Sequence, residues 1–447
     1  MKTYIETYGC RMNLCDSEVI VSILEANDYQ YTPNMEEADV VVLNCCSVRE
    51  VGHTKIYQRI SELKEILKSE VILCLAGCMS TQLKEDLFDI YPRVHIIICP
   101  TAYKELPEAL ARIRNGQARH LYVSGIKPDE VYDSILPTRV LEDKVTAAVT
   151  IMKGCDQYCS YCIEPYTRGE RTNRSYEGIM SEIAEIRQDG YQEITLFGHI
   201  VDLWQGEKHG VSIGFAQLLD DIAKACPQQR IKYISSHPLT FSDDIVRVVK
   251  QNDNIMRVVH LPVQSGSDKI LHRMNRRYTS KQFLQRVEEV RRLIPSLQII
   301  TDVMVGFPGE EDEDFLLTLD LLRHLQCANA NIFTFSMRSG TMAYKNFEDK
   351  VSDEVKKERA RITRNLVNQI RAEQLNALIG TTQTVIAERE EKDYWYGRDI
   401  YHRTIAFPPL HGMKIGQKFN VTIRQIKDNQ VFGTIYDENT YREHRLF

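Results

Sequence analysis

The sequence has no apolar run near the ~18 residues that a membrane-spanning helix needs. Its first ten residues, "MKTYIETYGC", lack the apolar stretch behind a basic start that marks a secretory leader. These absences predict a cytoplasmic chain with no membrane partner. A basic excess is missing too. The chain carries 56 Lys and Arg against 62 Asp and Glu, a net charge of −6, so any nucleic-acid site has to be a local patch. No solenoid-type repeat and no low-complexity segment runs through it. What it has in quantity is cysteine, twelve residues. In a reducing compartment these are not expected to pair as disulfides. Cys74, Cys99, Cys226 and Cys327 read as small buried hydrophobes. The spacing of the others asks for a chemical explanation.

At 447 residues, about three domains are expected. Residues 1–120 alternate strand-like runs ("TYIETYG", "ADVVVLN", "EVILCLAG") with helical periodicity, which predicts a parallel-sheet α/β domain. Residues 121–142, with Gly125, Pro128 and Pro137, read as a linker. Residues 143–372 repeat strand then helix six times, through "TAAVTIMKG", "EITLFG", "IKYISS", "RVVHLPV", "QIITDVMVG" and "ANIFTFS". Thr279 and Gln282 are spaced as a capping box before the fourth helix. Six steps fall short of a full barrel. The pattern therefore predicts an open, partial (βα)6 barrel with its site at the carboxyl ends of the strands, and a doubly wound open sheet is the competing arrangement. A basic helix leads out. Residues 376–441 then show short period-two runs between Gly- and Asn-rich turns, the pattern of a small antiparallel β-barrel.

"MKGCDQYCSYCIEPYTRG" places Cys155, Cys159 and Cys162 directly after the first barrel strand. Thiolates suit zinc, copper(I) or iron–sulfur clusters. A structural zinc site closes with four ligands at paired spacings, yet no His or Cys lies between Cys162 and His199. A four-iron cluster normally takes four cysteines, so three leave one iron open for a ligand to bind and be reduced. Cys10, Cys46 and Cys78 each close a predicted strand of the first domain. Neighbouring parallel strands end on one sheet edge, where ligand sites form, so a second three-cysteine cluster is expected there. Three unrelated core cysteines are the competing reading, and spacing alone leaves Cys45 open as a substitute for Cys46.

Cys155, Cys159 and Cys162 and the barrel pattern around them resemble the radical S-adenosylmethionine (SAM) superfamily. That resemblance implies that the methionine end of SAM chelates the open iron and that one electron cleaves SAM to a 5′-deoxyadenosyl radical. "ETYGCRMN", "LNCCSVRE" and "AGCM" resemble the N-terminal signature of the methylthiotransferases, radical SAM enzymes that convert C–H into C–S–CH3. The similarity continues through "PYTRGERTNRS", "HLPVQSGSDKILHRMNRRYT", "TDVMVGFPGEEDEDF" and "FSMRSGTMAY", and the last segment is similar to the RNA-binding TRAM barrel. The resemblance implies two 4Fe-4S clusters. Cys155, Cys159 and Cys162 would hold the radical cluster, and Cys10, Cys46 and Cys78 an auxiliary, sulfur-donating one. Two SAM molecules would be used per product.

Within the family the motifs are most similar to the MiaB branch, whose target is C2 of N6-isopentenyladenosine beside the tRNA anticodon. The implied partners are the tRNA anticodon stem-loop and an electron donor such as flavodoxin or ferredoxin, with the chain acting as a monomer. Two departures bear on the target. "LFGHIVDLW" carries His199 and Ile200 where that branch usually has Gln-Asn, and Glu164 stands where an aliphatic residue is usual. They keep open another tRNA adenosine or a protein side chain as the target. A rival from another class is a non-catalytic iron–sulfur RNA-binding protein or redox sensor, which would need no SAM site. Tyr161, Gly198, Ser236, Gln264 and Asp302 fall at the expected mouth and are candidates to contact SAM. Structural turns, caps or core packing are the plainer alternatives for them. Arg168, Arg171 and Arg174 follow the cluster loop and are candidates for tRNA phosphate, against a solvated charge cluster.

Overall fold

The computed structural model describes residues 1–47, 50–124, 130–140 and 145–436. Its N-terminal part is a six-stranded parallel sheet in the order Gln30–Tyr31, Lys2–Tyr8, Val40–Cys45, Ile72–Ala76, Ile96–Ile98 and Leu121–Val123. Unbroken apolar runs such as Val40–Leu43 suit strands buried on both faces. One face packs on the helices Arg11–Glu25 and Leu106–Arg114, the other on Glu50–Ile66. The strand order reverses between Lys2–Tyr8 and Val40–Cys45, the point at which such sheets bind ligands beyond their carboxyl ends. The sheet extends to Val123 and so passes the expected boundary at 120. Part of the expected linker lies outside the described residues. The rest is irregular but pinned: Tyr132 Oη donates to Pro100 O at 2.6 Å, and Arg139 pairs with Glu18 and Glu182.

All six expected strands of the central domain are present. Thr146–Thr150, Glu193–Phe197 and Arg230–Tyr233 form one parallel sheet; Val258–His260, Gln298–Val305 and Asn329–Thr334 form another. A bridge between Ile231 and Ile255, and a 3.1 Å bond from Ser236 N–H to His260 O, join them into one six-step wall. The capping box of Thr279 and Gln282 forms. The hairpin of Gln205–Lys208 and Val211–Gly214 was not legible, because its polar run carries neither apolar alternation nor helical period.

The helix Asp353–Asn376 leads to a closed five-stranded barrel around Val385, Trp395, Ile405, Phe407, Val421 and Ile423. The small barrel is as expected, with four neighbouring pairs antiparallel; it is closed by Thr404–Phe407 running parallel to Gln430–Ile435. It is seated on the amino ends of the central strands. Arg398 donates to Thr146 Oγ1 at 3.1 Å and lies 3.6 Å from the fully buried Glu193, and Arg257 N–H donates to Ile400 O. The carboxyl ends are left for the site. No helix among the described residues is long and apolar enough to cross a membrane.

Candidate iron–sulfur and SAM site

Each cysteine of the first triad follows the end of a strand. Lys2–Tyr8 leads through Gly9 to Cys10, Val40–Cys45 leads to Cys46, and Ile72–Ala76 leads through Gly77 to Cys78. The glycines are required by crowding. A Cβ on Gly9 would lie 2.8 Å from Cys46 Cβ, and one on Gly77, whose φ is +91°, would lie 2.5 Å from Cys45 O. Two asparagines fix this edge. Asn13 accepts from Cys10 Sγ at 3.3 Å and donates to Asn44 Oδ1 at 3.0 Å, while Asn44 donates to Asn13 O and Ser17 Oγ. The adjacent cysteines separate by face. Cys45 is buried in the apolar layer with Ile56, Ile60 and Leu75, whereas Cys46 meets Cys10. A hydrogen bond with Cys46, helped by the Arg168 charge, brings the Cys10 thiol down to about 6. Burial pushes Cys78 up to about 12 against the pull of Arg168.

The second triad occupies a loop closed by glycines in the left-handed region. Gly154 has φ +69°, and a Cβ there would lie 2.0 Å from Glu170 O; Gly169 has φ +77°. Cys155 N–H donates to Gly169 O at 3.1 Å. The run Met274–Arg276 clamps the loop from across the barrel. Ser160 N–H donates to Met274 O, Asn275 Nδ2 to Tyr158 O, and Arg276 Nη1 to Cys159 Sγ at 3.4 Å. Among the described residues no three His, Cys, Asp or Glu converge as ligands of one ion. A four-iron cubane takes one thiolate on each iron. The all-thiol donor sets, and cationic donors aimed at their sulfurs, fit clusters at both places.

Beside the second triad lies a cavity of about 220 Å³ whose lining includes Tyr161, Cys162, Glu164, Gln264, Asp302 and Arg338. Gln264 takes φ +74°; its N–H donates to Asp302 O and its carbonyl accepts from Met304 N–H. His260 Nε2 and Asn331 Nδ2 hold Asp302 Oδ1 at 2.9 and 2.8 Å. Tyr161, Gln264 and Asp302 are thus brought together. Gly198 and Ser236 are not on the lining of this cavity. A Cβ on Gly198 would lie 2.4 Å from Met152 Cγ, so packing there leaves no room for a side chain. Ser236 Oγ donates to Asp202 Oδ1 at 2.8 Å and is buried.

The arginines also part company. Arg168 and Arg174 are each 4% exposed and neutralised inside the protein, so neither is presented to phosphate. Arg168 faces Asp16 and Cys78, and Arg174 faces Glu182 and Asp133. Arg171 remains partly exposed between Asp156 and Leu203 O. Sequence reasoning missed an exposed aromatic group beside the mouth. Tyr158 and Tyr166 meet edge to face at 6.1 Å, with Lys345 Nζ 5.8 Å from the Tyr166 ring. Their only sequence signal is tyrosine recurring around the cysteine loop.

Residues 2–99 match the uncharacterized protein family UPF0004, and residues 149–322 match the radical SAM superfamily. The chain is 36% identical over 442 residues to the tRNA-2-methylthio-N(6)-dimethylallyladenosine synthase of Parabacteroides distasonis, covering 98% of this chain and 96% of that protein. It is 37% identical over 445 residues to the synthase of that name from Bacteroides fragilis, covering 97% and 96%. Among solved structures, the radical SAM methyltransferase TsrM of Kitasatospora setae superposes with a TM-score of 0.55 at 12% identity, covering 76% of this chain and 73% of that one. The cobalamin-dependent SAM radical enzyme OxsB gives 0.53 at 14% identity, covering 83% and 57%. These two share the fold.

Proposed function

Because the chain belongs to the family of tRNA-2-methylthio-N(6)-dimethylallyladenosine synthases, we propose that its two cysteine triads divide the reaction of that family between them. The protein is a radical SAM transferase that methylthiolates N6-dimethylallyladenosine of tRNA at C2, with SAM and 4Fe-4S clusters as cofactors. When bound, these cofactors supply the one-electron cleavage and the sulfur.

The chain's own residues do the holding. Cys155, Cys159 and Cys162 bind the radical cluster, and Cys10, Cys46 and Cys78 bind the auxiliary one. Tyr161, Gln264 and Asp302 orient SAM in the cavity next to Cys162, where His260 and Asn331 keep the Asp302 carboxylate aimed. Tyr158, Tyr166, Lys345 and Arg171 receive the anticodon stem-loop at the mouth, bases against rings and phosphate against cations. A low-potential carrier such as flavodoxin or ferredoxin delivers the electron. The chain acts as a monomer in the cytoplasm, where its tRNA substrate is found.

The observation that carries this reading is the seam between the triads. The helix Glu164–Arg168 leaves the loop of one triad and its last residue touches Cys78 of the other, so one short helix joins the two triads. Mass spectrometry of bulk tRNA nucleosides from strains with and without the protein tests it. Loss of 2-methylthio-N6-dimethylallyladenosine is expected on deletion. Its persistence, with another methylthio nucleoside lost instead, overturns the assigned target.

A further inference from the structure

Two guanidinium groups reach cysteine sulfurs of the triads. Arg276 Nη1 donates to Cys159 Sγ at 3.4 Å within the central domain. Arg168 Nε donates to Cys78 Sγ at 3.0 Å across the domain boundary. Arg168 also sets its Nη1 2.7 Å from Asp16 Oδ2, on the helix that Cys10 caps. The elements that carry Cys162, Cys10 and Cys78 therefore meet on one side chain, which is 1% exposed. Neither Nη1 nor Nη2, both buried, completes a hydrogen bond of good geometry among the described residues, so Nη1 meets Asp16 as an ion pair.

Ion pairing alone does not account for this placement. Lys153 Nζ already lies 3.2 Å from Asp16 Oδ1, so Asp16 has a counter-charge without Arg168. Taking a guanidinium out of water is unfavourable unless its donors are used. Of its three nitrogens one is aimed at sulfur, one at Asp16, and one at neither.

We infer that Arg168 is a positioning residue for the auxiliary centre, where its hydrogen bond to the Cys78 sulfur and its charge set the reduction potential, with Asp16 as the opposing charge. The inference rests on Cys10, Cys46 and Cys78 holding that cluster. Hydrogen bonds to cluster sulfurs and local charge govern such potentials. A donor and a positive charge at the sulfur favour the reduced, more negative state and raise the potential. Asp16 pulls the other way.

The test is an EPR-monitored redox titration of the full chain, reconstituted with iron and sulfide, as wild type, Arg168→Gln and Asp16→Asn. The radical cluster is separated by the change that SAM makes in its signal, and it serves as the internal control. The auxiliary potential should move negative in Arg168→Gln and positive in Asp16→Asn, while the radical cluster stays in place. Unmoved auxiliary potentials, or shifts of the same sign, in variants that hold both clusters overturn the inference. Should Arg168→Gln not load, Asp16→Asn alone decides: a positive shift upholds the role and an unchanged potential rejects it. Iron content separates this from the ligand reading. A wild type holding about four irons rather than about eight refutes the second cluster itself.

Discussion

His199 Nε2 lies 3.1 Å from Glu164 Oε2, so two residues that depart from the usual family run are partners in space. The pair sits at the seam between the triads, and Glu164 also lines the cavity beside Cys162. Burial works against the Glu164 anion, but His199 and Arg168 outweigh it and hold the carboxyl below the usual range. With His199→Gln the cation left beside the carboxylate among the described residues is Arg168, 3.8 Å away.

The pair should therefore behave as a unit. His199→Gln and Glu164→Val should each lower stability by about 1–3 kcal/mol. The double variant, which restores the usual pairing of residues, should lose less than the sum. A double-mutant cycle by urea unfolding, with product yield on isopentenylated tRNA measured alongside, checks this. Strictly additive losses would show that the contact does no energetic work.

Cys45 and Cys46 should differ in kind. Cys46→Ala should drop iron from about eight to about four per chain and abolish methylthio product while SAM is still cleaved to 5′-deoxyadenosine. Cys45→Ala should keep its iron and lose about 1–3 kcal/mol, as for a small change in an apolar layer. The reverse pattern in iron assays would transfer the ligand role to Cys45.

His237 gives a pH dependence. Burial, with Arg276 and Arg277 nearby, brings its imidazole down to about 3, whereas an unfolded histidine titrates near 6.5. Between those values the unfolded chain binds a proton that the folded one refuses. The wild type should thus lose stability relative to His237→Gln as pH falls from 6.5 towards 3, by up to ~1.4 kcal/mol per unit. Urea midpoints of both proteins at pH 7.5, 6.0 and 5.0 supply the measurement; a constant difference contradicts it.

Tyr166→Ala should weaken tRNA binding by about 1–3 kcal/mol if a base stacks on that ring. Lys345→Ala should flatten the salt dependence of binding. SAM cleavage without tRNA should not change in either. Filter binding at several salt concentrations reads both effects, and equal affinities for wild type and Tyr166→Ala remove the aromatic platform.

Strand ends were readable because alternation of strand and helix places them on one edge, and that carried both triads and the six-step wall. Which of Cys45 and Cys46 turns outward was not, since one residue of register decides the face and only the paired strands fix it. Arg168 and Arg174 looked like surface charge for a related reason. What neutralises them, Asp16 and Cys78 in one case and Asp133 and Glu182 in the other, comes from distant stretches of chain. Gly198 and Ser236 fall at strand ends as read, but their neighbours there, Met152 and Asp202, are partners that no spacing rule names.

The two triads also differ in how they come into being. Cys155, Cys159 and Cys162 are neighbours along the chain, so a loop only a few residues long brings them together. Cys10, Cys46 and Cys78 become neighbours only when three parallel strands have paired, a non-local and slow event. On the proposed ligand assignment, the sheet-edge site is therefore complete only after these strands have paired.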